Sequence, residues 1–108
     1  MINRDVLNRA YATISSLRQN LPERFYVSQP YVDEYHRAIE KLANEGLDLG
    51  EFRVPAGELR RRPMVHNTID GTTEYGRVAE VERSLFLVKI DAVLAYLKLL
   101  DEESGRRS

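Results

Sequence analysis

A chain of 108 residues has room for one domain and not for a second core. Sixteen basic side chains stand against seventeen acidic ones, and the formal charge of −1 excludes binding to nucleic acid or anionic membrane by bulk charge. Cysteine is absent, which excludes disulfide scaffolds, thiolate zinc sites, iron–sulfur clusters and a cysteine nucleophile together.

The N-terminus carries Arg4 and Asp5 with no apolar core, so no signal peptide is read there. No apolar run approaches the ~20 residues that span a bilayer. The expectation is a soluble protein of the reducing cytoplasm, with no membrane association. His36 and His66 alone cannot build a histidine-rich metal centre, and neither a metal nor a cofactor is expected.

Residues 3–19 read as a helix. Asn3 suits the N-cap and Asp5 the positive end of the helix dipole, while Leu7, Ala10, Ile14, Leu17 and Leu21 recur at the 3–4 spacing of one apolar face. Asn20, as a left-handed cap, and Pro22 supply the stop. The aromatic and β-branched run 24–27 suits a small strand or an extended link. Ser28 then offers a cap and Pro30 falls in a first helical turn, opening a second helix over 30–44. Val32, Tyr35, Ile39 and Leu42 form its buried seam, and Gly46 followed by Leu47 has the pattern of a glycine C-cap with its hydrophobic clasp.

From residue 47 to 82 the helical period disappears. Glycine and proline punctuate short apolar pieces: Phe52 with Val54, Met64 with Val65, Ile69, and Val78 with Val81. A structureless stretch of this length is improbable inside a domain, so it reads as short strands or as an extended arm on another surface. Asp70-Gly71 is a turn signal between strands at 64–69 and 72–78.

The last helix, over 83–102 with Ser84 as its cap, is the most apolar segment. Phe86, Ile90, Val93, Leu97 and Leu100 make one seam; Leu85, Val88, Ala92, Tyr96 and Leu99 make a second stripe on another side. Two neighbouring helices do not readily cover both, which argues for a homo-oligomer, a dimer first, with Phe86, Ile90, Val93, Leu94, Leu97 and Leu100 at the interface. Residues 103–108 are expected to fray. The fold class is therefore mainly α: one domain over 1–108, with three helices and a long extended or irregular middle carrying two or three short strands. A fuller α+β arrangement is the minor reading.

Four groups bear on chemistry. Arg60, Arg61 and Arg62 present planar donor forks that suit phosphates or carboxylates, although successive residues of an extended chain point to opposite faces. Asp33, His36 and Glu40 share a helix face at a spacing that suits a divalent metal or an oriented proton-transfer histidine, and equally an exposed polar face. The polar stretch 66–75 lacks a phosphate cradle, a calcium-loop spacing or a nucleophile elbow, and a hairpin turn accounts for it. Phe25, Tyr26, Tyr31 and Tyr35 are placed to stack bases or, more in keeping with their surroundings, to pack between helices.

The leading functional reading is a non-enzymatic interaction or oligomerisation module with a second copy or another protein as partner. One alternative is a nucleic-acid or acidic-partner binder using Arg60, Arg61 and Arg62, with nucleic acid disfavoured by the neutral charge. The other is a small enzyme or ligand-binding domain with a polar site at a protomer interface around His36, His66 and Asp70. No catalytic set is assigned.

Overall fold

The computed structural model describes residues 3–67 and 73–106, with the backbone alone for 61–67, 73–78 and 104–106. In chain order the elements are α1 (Arg4–Asn20), β1 (Tyr26–Ser28), α2 (Gln29–Ala43), two short 3-10 turns (Gly50–Phe52 and Ala56–Glu58), β2 (Arg60–Asn67), β3 (Thr73–Glu82) and α3 (Arg83–Arg106). The fold is mainly α with a minor β component.

Asn3 caps α1 as its sequence position implies: its side-chain oxygen accepts from the N–H groups of Asp5 and Val6, at 2.9 and 3.4 Å. The expected left-handed Asn20 stop does not form. No described non-glycine residue has positive φ, and the chain leaves α1 through an extended Leu21 whose N–H reaches the Arg18 carbonyl. Ser28 stands at the α2 N-cap position without a side-chain capping bond, and Pro30 lies in the first turn, where its missing N–H costs nothing. At the other end Gly46 adopts φ +96° and donates to the Ala43 carbonyl, while Leu47 packs on the core as the clasp requires.

α1 and α3 run antiparallel, with Arg4 against Asp101 at one end and Arg18 against Asp91 at the other. All four side chains are about half exposed, so these pairs set register more than they add stability. Stability comes from the apolar faces that meet inside. Ile14 from α1, Val32, Tyr35, Ile39 and Leu42 from α2, and Phe86, Ile90 and Val93 from α3 are completely excluded from water.

The sheet has the order β1-β3-β2, antiparallel throughout. β1 pairs with residues 82 to 80 of β3, and β2 pairs with residues 80 to 73. Three strands therefore meet only at the rung Ser28–Glu80–Arg60. From Arg61↔Ala79 to Asn67↔Thr73 the sheet continues as a two-stranded ribbon, about 20 Å long. The strands are longer than the short pieces the sequence suggests, and the Asp70-Gly71 turn lies outside the described residues. The whole chain measures 65 × 23 × 22 Å.

Two boundaries at the last helix also differ. β3 passes into α3 without a connecting residue, so Ser84 sits inside the first turn instead of capping it. At the far end the helix continues to Arg106, past the expected fraying point, through Glu102 and Glu103, which are good helix formers. No helix among the described residues is long and apolar enough to cross a membrane.

Gly46 and Gly57 make a matched test of this geometry, because an added Cβ meets nothing within 4 Å at either position and only Gly46 has positive φ. Gly46→Ala should destabilise the protein by about 1–2 kcal/mol, the strain of a left-handed non-glycine residue. Gly57→Ala should be close to neutral in the same denaturant titration.

Candidate functional site

The residues singled out for chemistry separate once folded. His36 lies on α2, half-buried, and its Nε2 accepts the Val54 N–H at 3.0 Å. A nitrogen holding that bond is neither metal-bound nor protonated, so this histidine fastens the loop after α2. Arg53 sits beside it and reaches Glu40 at 3.8 Å. Burial and the Arg53 charge pull the His36 pKa below its ordinary value, against a smaller opposing pull from Asp33 and Glu40. Among the described residues no cluster of three His, Asp or Glu side chains is placed to hold a metal.

His66 stands opposite Glu74 near the far end of the ribbon, about 20 Å along it from the rung at Arg60. Asp70 lies outside the described residues. Within one chain His36 is committed to the loop and His66 is carried along the ribbon, so these two do not share a site there.

The arginine triplet divides as well. Arg60 lies over the Tyr26 ring, 4.5 Å from its centroid, and donates to the Tyr26 hydroxyl. In register it faces Glu80, which is buried. Arg60 and Tyr26 are thus engaged with each other at the base of the ribbon. Phe25 meets the edge of Tyr26 at 4.8 Å and is itself 71% exposed. Arg61 and Arg62 occupy the rungs opposite Ala79 and Val78, and their side chains lie outside the described residues.

Tyr35 is fully buried. Its hydroxyl donates to the Phe52 carbonyl at 2.7 Å, with the Lys89 carbonyl 3.3 Å away, and its ring meets Phe86 edge-on. Burial pushes its phenol pKa up, which keeps the group a neutral donor. Phe52 stacks on Tyr96 of α3, and the Lys89 ammonium donates to the Glu51 carbonyl at 2.6 Å. Leu49, Phe52 and Val54 are buried, so this loop forms a fourth wall of the core. Sequence reasoning noted Phe52 and Val54 as an apolar pair but had no signal for their two partners, His36 and the Tyr35 hydroxyl.

That wall changes the meaning of α3. Phe86, Ile90, Val93 and Leu97 are at most 1% exposed inside their own chain, and Leu94 and Leu100 are half-buried. The four buried side chains cannot serve as the oligomer interface expected of them, because α1, α2 and the loop after α2 already cover them. The other stripe faces outward instead. Val88 is 67% and Leu99 58% exposed, Ala92 and Ala95 are exposed between them, and Leu85 is half-buried at the start. Tyr96, expected in that stripe, turns inward to Phe52 and Ala95 takes its place. Leu85, Val88, Ala92, Ala95 and Leu99 follow the 3-4-3-4 spacing of a helix-pairing seam.

An open furrow of about 670 Å³ also lies between α1 and α2, floored by Ala10 and Ala38. Its rim mixes Arg9, Arg37 and Lys41 with Glu34 and Glu45, so it offers no field of one sign. Comparison with protein-family models, curated proteins and solved structures returns no match.

Two outcomes follow from the loop clasp. Tyr35→Phe strips the buried Phe52 carbonyl of its donor and should cost about 1–3 kcal/mol in urea unfolding. For His36 the folded pKa lies below the unfolded value of 6.5, so the unfolded chain takes up the proton first. The clasp contributes fully above pH 6.5, and its contribution falls as the pH drops from there through the folded pKa. His36→Gln, which keeps an acceptor but does not titrate, should flatten that segment of the stability–pH curve.

Proposed function

We propose that the protein is a non-enzymatic cytoplasmic self-association module, in which the outer face of α3 docks on a second copy of the chain. The observation that carries this is the exposed seam Leu85–Val88–Ala92–Ala95–Leu99 on a helix whose opposite face is buried core. Single exposed leucines are ordinary, but four turns of apolar residues in helix-pairing register are a surface suited to another helix. The chemistry flanking the seam suits a second copy: Asp91, half exposed beside its Arg18 partner, and Lys98 lie seven residues apart along one flank, so the surface carries both charges and complements itself. The lack of cysteine fits a reducing compartment.

Sedimentation velocity over a range of concentrations tests the reading. The wild-type chain should shift from monomer to dimer as concentration rises, and Val88→Asp with Leu99→Asp should hold it monomeric. Because both positions are more than half exposed, the double variant should melt within a few degrees of the wild type by circular dichroism. A wild-type chain that stays monomeric throughout, or a dimer indifferent to both substitutions, overturns it.

A further inference from the structure

We infer that the two copies meet antiparallel, about a two-fold axis passing between Ala92 and Ala95; this rests on the reading of α3's outer face as the self-association surface. In that arrangement Val88 of one copy opposes Leu99 of the other, and Ala92 opposes Ala95. The two small residues sit at the centre, where they let the helix axes approach to about 8 Å, and the larger Val and Leu close the seam on either side.

The orientation is decided at the ends of the stripe. The 3–4 spacing that runs from Leu85 to Leu99 next reaches Glu102, which is exposed. A parallel pair sets Glu102 against Glu102 in the seam, two like charges sharing a partly dehydrated site. An antiparallel pair brings Glu102 to Leu85 and the first turn of the other α3. There the positive end of the α3 dipole favours a carboxylate, as does the nearby guanidinium of Arg83, whose Nε also donates to the Pro22 carbonyl.

The flank gives the same answer. Asp91 is about half exposed although it bonds to Arg18, and Lys98 is exposed. Antiparallel packing puts Asp91 beside Lys98 of the second copy, and the two-fold axis makes that contact twice. A parallel pair would set Lys98 near Glu103 instead, but only with the Glu102 repulsion kept in the seam.

The seam from Leu85 to Glu102 is about 26 Å long, so one helix pair makes an interface at the small end of the usual range and should exchange at micromolar concentrations. Because β3 feeds straight into the start of α3, antiparallel packing also sends the two β2–β3 ribbons to opposite ends of the dimer. The assembly would then present two ribbons facing apart.

The cysteine-free chain allows a direct test of orientation. Val88→Cys and Leu99→Cys are made as separate single variants, checked for unchanged circular dichroism, and mixed under mild oxidation at concentrations where the wild type dimerises. The antiparallel pair predicts the mixed Val88–Leu99 disulfide in about ten-fold excess over either like-with-like product, since like positions lie about 16 Å apart along the axis, beyond disulfide reach. A dominant like-with-like product at Val88 overturns the antiparallel arrangement and leaves self-association through this face standing. A statistical mixture of the three products overturns a defined register. No disulfide, with a monomer by sedimentation, overturns both readings.

Discussion

The Tyr35 ring is fully buried, so its hydroxyl must find an acceptor inside the protein, and it finds the Phe52 carbonyl. That requirement draws the loop after α2 across the gap between α2 and α3. An unmet buried hydroxyl or carbonyl costs about 1–3 kcal/mol, a large share of the stability of a domain this size. Once the loop is there, its other contacts are local consequences. His36 takes the Val54 N–H, Lys89 takes the Glu51 carbonyl, and Phe52 stacks on Tyr96. Among the described residues no buried side-chain nitrogen or oxygen is left without a partner.

The loop also decides what α3 has left to offer. α1, α2 and the loop that follows α2 cover Phe86, Ile90, Val93 and Leu97, and the same helix turns Val88, Ala92, Ala95 and Leu99 to water. A helix apolar on two sides is thus split, its own core on one side and an exposed apolar stripe on the other, the surface proposed for association. Histidine and tyrosine, the side chains most suited to proton chemistry, are used at this site as a hydrogen-bond acceptor and donor that hold backbone.

The sequence made the helices legible because their signals are local. Asn3 before an apolar 3–4 pattern, Pro30 in a first turn, and Gly46 at φ +96° each act within one turn of their own position. The β2–β3 hairpin was legible as an expected turn between strands, but its length was not. Arg60 to Pro63 and Thr73 to Arg77 carry little of the apolar alternation that marks a strand, and their pairing is long-range register. The division of α3 into inner and outer faces was legible only as the existence of two stripes. Which stripe is buried depends on Phe52, Val54 and Tyr35 meeting across the core, and no periodicity within one element encodes that. The residues that the sequence offers for an oligomer interface, with Phe86 and Ile90 at its heart, are therefore ones the fold buries in its own core.

The central claim is that one face of α3 belongs to the core and the other to a second copy. Backbone amide chemical shifts, followed residue by residue as the protein is concentrated through the micromolar range, test it most directly. The account predicts shifts that grow with concentration at Leu85, Val88, Ala92, Ala95, Leu99 and Glu102, larger than those at Phe86, Ile90, Val93 and Leu97. A spectrum unchanged by concentration, or changes centred on the furrow between α1 and α2 or on the ribbon, would contradict it.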